Sequence, residues 1–286
     1  MIDRLIGHIR KQGGQYTIVT PASAVEYLDS ALALCGVKKS RRLVPPDFDR
    51  RGGLTGLVAC GGDGSFNLAA RAALRASLPV GILPMGRDNN IAHGIYGTLS
   101  PEAIIPRLLA QTYAAIDSAT VGGQVFFGSI GLGLLPRLAR LLDGNKPPRF
   151  ALGWSRLAAQ AAAEVREHKT IVKVDAFRFE ITPRLMCINL LPYSLGLRLT
   201  PASIADDQLA EVVFDVGPDS KHLPGFVVHI ARGNYCYGGQ VRLFRGKTIT
   251  IQPSRGSTLY LDGELVDVPD NILEIEVGSE QLKVFK

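Results

Sequence analysis

At 286 residues, with 46% apolar and 20% charged side chains, the chain has the composition of a soluble globular protein large enough for two modest domains. That excludes disordered and fibrous classes; no apolar run approaches the ~18 residues needed to cross a bilayer, and residues 1–15 lack the apolar core of a signal peptide. Cys35, Cys60, Cys187 and Cys236 stand far apart with no C-x-x-C pair, which argues against a disulfide framework or structural zinc and for a reducing cytoplasm. The net charge of +6 is uneven, with 13 basic against 9 acidic residues before position 121, 10 against 5 over 121–184, and 9 against 12 after it. Such a bias suits a polyphosphate ligand or an anionic membrane surface. Few aromatics (7%) and no RNP, KH, zinc-finger or basic-zipper signature argue against nucleic acid.

Ile2, Leu5, Ile6 and Ile9 have the spacing of one helix face, residues 16–20 form a β-branched strand stopped by Pro21, and Val25, Leu28 and Leu32 mark a second helix. A polar loop over residues 41–53 leads to a strand at 57–60, a helix from about 66 to 76 and a strand at 80–83 ending at Pro84. This alternation predicts a parallel sheet with helices on its faces, with ligands beyond the carboxyl ends of its strands. From about residue 120 the pattern changes to short strands at 124–128, 171–174, 177–181, 185–190, 211–216, 241–244, 248–252, 259–261 and 272–277. These predict an antiparallel sandwich-like domain. One helix interrupts them: Phe150, Trp154, Leu157, Ala158, Ala161 and Val165 share a face flanked by Arg149, Arg156, Arg166 and Lys169. Such a stripe packs on a core more often than it rests on a membrane. The expected domains are thus an α/β domain over residues 1–118, with 278–286 returning to it, and a β-rich domain over 119–277.

Residues 58–67, Val-Ala-Cys-Gly-Gly-Asp-Gly-Ser-Phe-Asn, run an apolar strand into a glycine turn holding one carboxylate. Gly61, Gly62 and Gly64 let the backbone approach a ligand closely, so that exposed N–H groups can ring an anion. Asp63 cannot serve that anion directly, so it points to a cation or to proton handling; equally, it could cap a tight strand-to-helix turn. A second turn, Pro84-Met85-Gly86-Arg87-Asp88-Asn89-Asn90-Ile91-Ala92-His93, follows the next strand, with Asn89 and Asn90 placed to cap a helix.

Together these turns resemble the diacylglycerol kinase catalytic domain family, soluble bacterial lipid kinases related to sphingosine kinases and more distantly to NAD kinases. Its GGDGT-x-N loop is similar to residues 61–67, with Ser65 in the Thr position, and its P-x-G-T-x-N-D/N-hydrophobic-A-R segment to residues 84–93. Residues 124–133 resemble the segment opening its second domain, Asn189 falls at its strand Asn, residues 205–213 resemble A-D-D-G-x-L-D-V-V, and Asp262-Gly263-Glu264 matches a late D-G-E. The resemblance implies an ATP- and Mg²⁺-dependent kinase that phosphorylates a lipid hydroxyl, diacylglycerol or a related lipid, at the cleft between an α/β and a β-rich domain.

It further implies that Gly61, Gly62, Gly64, Ser65, Asn67, Gly86, Arg87, Asn89 and Asn90 hold the nucleotide, and that Asp63 works with Mg²⁺ or as a base. Asp262 would take the proton from the lipid hydroxyl, helped by Glu264, and Asp207 would sit at a structural metal site. Asp262-Gly263 also reads as a hairpin turn, and Asp207 as a surface turn. Arg87 stands where the family has Thr, His93 where it has Arg, Gln208 where it has a turn glycine, and residues 195–197 lack its Gly-Gly-Gly. The family's opening strand and N-P-x-S-G loop have no counterpart before Met1, so the expectation is an upstream start or a homodimer partner that covers the sheet edge. A NAD kinase-like small-molecule kinase and a catalytically silent nucleotide- or lipid-binding protein are the alternative readings.

Overall fold

Parallel strands β1 (Tyr16–Val19), β2 (Gly56–Gly61) and β3 (Val80–Pro84) lie side by side, with Thr17 opposite Leu57 and Leu57 opposite Val80. The computed structural model describes residues 16–19, 56–110, 112–143, 145, 148, 150–165, 169–217, 219–232, 239–253, 257–268 and 272–286. The helices expected near residues 2–9 and 25–32 and the loop at 41–53 lie outside them. These residues belong to two compact units, one running to Ile116 and rejoined by Glu280–Lys286, the other Asp117–Ser279.

In the first unit every residue of β2 and β3 is buried, as expected for strands covered on both faces. Helix α1 (Asp63–Ala76) crosses between them and buries Phe66, Ala69, Ala70 and Ala73. It starts three residues before the expected Phe66, because Gly62 is extended and the chain turns helical at once. Ser77 ends it in the left-handed conformation, with Leu78 N–H bonded to Ala73 O at 2.9 Å. Helices α2 (Asn90–Tyr96) and α3 (Pro101–Leu109) follow, then β4 (Tyr113–Val121).

The second unit is built on a six-stranded sheet. Its elements are β5 (Gln124–Phe126), β6 (Ser129–Gly133), α4 (Leu134–Leu142), α5 (Ala151–Ala163), β7 (Thr170–Val174), β8 (Phe177–Ile181) and β9 (Leu185–Asn189). After these come β10 (Tyr193–Ser194), β11 (Leu197–Arg198), β12 (Ala210–Asp215), α6 (Leu223–Ala231) and β13 (Val241–Gly246). The chain closes with β14 (Thr248–Ile251), β15 (Thr258–Leu261), β16 (Glu264–Asp267) and β17 (Leu273–Phe285). The sheet order is β13-β12-β9-β6-β15-β16, antiparallel throughout. A second antiparallel run joins the start of β17 to β14, β7 and β8. The end of β17 belongs to the first unit, where Val284 pairs in parallel with Val80.

Strand periodicity of two sorts the side chains of the six-stranded sheet. Met186, Ile188, Val212, Phe214, Leu259 and Leu261 face the core shared with β7, β14 and β17. Leu185, Cys187, Val213 and Tyr260 face the other way, onto α4, α5 and α6. This helical layer corrects the expectation of one interrupting helix. Leu134, Leu135, Leu138, Ala139 and Leu142 do carry a helical spacing, whereas Pro224, Gly225 and β-branched Val227, Val228 and Ile230 disguise α6 until packing selects it. The stripe on α5 packs in this core through Trp154, Ala158 and Ala161, while Phe150 is 78% exposed. The strand expected over 124–128 ends at Phe126. Among the described residues no helix is long and apolar enough to cross a membrane.

Candidate active site

β2 delivers the chain to Gly61, and α1 begins two residues later with Gly62 as its cap. The first-turn N–H groups of such a helix have no acceptor within it and lie at its positive end. Gly64 and Ser65 belong to that turn and are half-buried. The second turn packs directly on the first: Met85 N–H donates to Gly61 O at 2.9 Å, and a Cβ built on Gly62 would stand 3.1 Å from the Gly86 Cα. A Cβ on Gly86 would overlap the Gly62 Cα, so that position requires glycine for backbone-to-backbone approach, and a Cβ on Gly62 would crowd the same contact.

Asp63 ties the turns together. Its Oδ1 accepts from Ile91 N–H at 2.9 Å, and its Oδ2 from Asn90 N–H at 3.1 Å and the Asn90 side-chain amide at 2.9 Å. The carboxylate therefore caps α2, a helix 27 residues further on. Asn89, left-handed at φ 51°, closes its own turn: its Oδ1 accepts from Gly86 N–H and its amide donates to Gly86 O, each at 2.9 Å. Arg87 makes a two-pronged pair with Asp88, at 3.1 and 2.9 Å. Asn67 lies one helical turn after Asp63; it is buried, and its Oδ1 has no hydrogen-bond partner. The fold thus gathers Gly61, Gly62, Asp63, Gly64, Ser65, Asn67, Gly86, Arg87, Asn89 and Asn90 on two packed turns of the first unit.

The remaining expected residues lie in the second unit. Asp262 and Gly263, at φ 45° and 96°, are the two-residue turn of the β15–β16 hairpin. The Asp262 carboxylate reaches the bend between β5 and β6, accepting from Phe127 N–H (2.8 Å), Gly128 N–H (2.8 Å) and Ser129 N–H (2.6 Å). These successive donors form an anion-holding nest around a side chain that is 4% exposed. Glu264 is exposed at the start of β16. Asn189 is fully buried, its amide donating to Ser194 Oγ (3.1 Å) and Thr200 Oγ1 (2.8 Å). Gln208, in the place of a glycine, adopts φ 60°.

Asp207 accepts from Leu209 N–H at 3.1 Å and pairs through its other oxygen with Arg245. Register aligns Arg245, Glu211, Asn189 and Ser129 across β13, β12, β9 and β6, and Asp262 N–H continues the row to Ser129 O at 2.9 Å. Sequence reading missed Arg245, Glu211 and the nest at 127–129, because strand register alone brings them together. Among the described residues no group of three or more His, Cys, Asp or Glu side chains could hold a metal ion. Asp63 and Asp207, the expected metal ligands, each have both oxygens engaged by donors of the protein, so this donor set does not fit a dedicated Mg²⁺ cage.

Residues 42–121, which contain both glycine turns, match the family model for the diacylglycerol kinase catalytic domain. A curated protein named "Probable lipid kinase YegS-like", from Pseudomonas fluorescens, is 28% identical over 225 residues, 74% of this chain and 71% of that protein. A crystal structure described as "a putative diacylglycerol kinase" from Bacillus anthracis superposes with a TM-score of 0.72 at 16% identity, covering 95% of this chain and 94% of that one. Another diacylglycerol kinase structure from that organism gives a TM-score of 0.67 at 13% identity, covering 95% and 96%. These structural likenesses are of fold. Over residues 42–121, the segment that carries its paired turns, the chain is similar to the diacylglycerol kinase catalytic domain family.

Proposed function

We propose that the chain is an ATP-dependent lipid kinase that transfers the γ-phosphoryl group to a lipid hydroxyl, diacylglycerol or a related lipid. The observation that carries this reading is the backbone contact of Gly62 with Gly86, fastened by Asp63. A shelf made of main chain suits phosphates, and the helix start behind it favours their charge. Asp63 in this reading keeps the shelf in shape, and the buried, unpartnered Asn67 Oδ1 offers the bound nucleotide an acceptor.

The acceptor side falls to the second unit, with Asp262 as base. As the lipid oxygen bonds to the γ-phosphorus, its proton passes to the Asp262 carboxylate and the bond from that phosphorus to the β–γ bridging oxygen breaks, releasing ADP. Three N–H donors hold that carboxylate in a single orientation. The basic excess of residues 1–184 suits a peripheral encounter with an anionic membrane. Incubation with γ-labelled ATP and either a lipid extract or NAD tests the proposal. Label in the lipid fraction and none in NAD is the expected result, and transfer to NAD, or to no lipid, overturns it.

A further inference from the structure

The Asp206-Asp207-Gln208-Leu209 turn leads into β12, and its resemblance implies a structural divalent cation there. The geometry puts something else in that place. Asp207 accepts from Leu209 N–H through one oxygen and from the Arg245 guanidinium, on strand β13, through the other. Directly opposite Arg245 in the β12–β13 register stands Glu211, fully buried, with Oε2 accepting from the Ser203 hydroxyl at 3.0 Å. Burial raises the Glu211 carboxyl above the ordinary range, opposed by the Ser203 bond and by the charge of Arg245.

Asp117, nearly inaccessible, accepts through Oδ2 from Gln208 N–H at 2.6 Å. Two side-chain atoms of this cluster are buried without a hydrogen-bond partner, Glu211 Oε1 and Arg245 Nε, an acceptor and a donor on directly paired residues. The Arg245 guanidinium thus pairs with Asp207 and lends its charge to the buried Glu211, the part a divalent cation would otherwise play, and its permanent charge repels any such ion.

We infer that Arg245 replaces a metal ion at the Asp207 turn, so that the second unit keeps its acidic loop folded without any divalent cation. The inference is independent of the phosphoryl-transfer reading, and its test needs no turnover. It uses the full, nucleotide-free chain, thermal melting with EDTA or with millimolar MgCl₂ or CaCl₂, and calorimetric titration of the same ions. The wild type is expected to melt at one temperature in all three conditions, and Asp207→Asn to change none of the titration heats. Arg245→Met is expected to melt several degrees lower. A wild-type melting temperature that rises with Mg²⁺ or Ca²⁺ and loses that response in Asp207→Asn overturns the inference, as does an Arg245→Met protein as stable as the wild type. Should Arg245→Met fail to fold, the comparison of wild type with Asp207→Asn decides alone.

Discussion

Replacing Asp262 by Asn tests whether this carboxylate is part of the architecture as well as a candidate base. Asn tolerates the left-handed φ of 45° as well as Asp does, so the backbone is not perturbed. Its one carbonyl oxygen can keep the pair of donors now on Oδ1, Gly128 and Ser129 N–H, but its NH₂ then faces Phe127 N–H, donor against donor. A hydrogen bond to a charged acceptor is worth about 1.5–3 kcal/mol, and a buried N–H left unsatisfied adds about 1–3, so with partial relaxation the loss is about 2–4 kcal/mol.

At a urea m-value of about 2 kcal/mol/M, that loss lowers the unfolding midpoint by about 1–2 M. The sole tryptophan, Trp154, is buried in the core of the same unit and reports this transition by fluorescence. Glu264→Gln, exposed in the same hairpin, is the control expected to stay within about 0.5 kcal/mol of wild type. An Asp262→Asn midpoint equal to wild type refutes the reasoning, and Asp262 would then be dispensable to the bend at 127–129. Turnover lost in Asp262→Asn bears on chemistry only under conditions where the melt shows the protein folded.

In the first unit, Gly86→Ala places a Cβ against the Gly62 backbone, at an expected cost of about 1–3 kcal/mol, and forces the turns apart. Amide exchange at Asn90 and Ile91 should accelerate as their bonds to Asp63 loosen; unchanged exchange would show that the turns are not coupled. Asp215 offers a pH test. It is fully buried, and burial raises its carboxyl above the ordinary value, against the opposing N–H bonds from Leu185 and Arg184 and the charges of His222 and Arg184. The folded state therefore keeps a proton that the unfolded chain releases near pH 4, so stability falls as pH climbs from about 4 to the raised value, with the penalty complete above it. Asp215→Asn retains an acceptor for the two N–H groups and cannot ionise, so this fall should vanish; parallel stability–pH profiles for mutant and wild type would rule the account out.

Much of the site was legible because its information is local. A strand running into Gly61-Gly62-Asp63-Gly64, and a second into Pro84-x-Gly86, can be read from composition and spacing, since only glycine permits the close approach now seen between Gly62 and Gly86. The hairpin at Asp262-Gly263 was legible for a similar reason: both residues tolerate positive φ. Helix α6 was not, because its Pro-Gly and β-branched residues carry a local preference that burial of Leu223, Phe226, Val227 and Ile230 overrides.

The roles of the carboxylates needed the tertiary structure. The sequence alone determined which residues occupy the turns and that acids stand at 63, 207 and 262. What each acid touches depends on which segments the chain brings beside it: Asp63 reaches a helix start 27 residues on, Asp262 a bend 135 residues back, and Asp207 an arginine two strands away in sequence but adjacent in the sheet. A carboxylate's partners are set by packing and register, and neither leaves a trace in the spacing of residues along the chain.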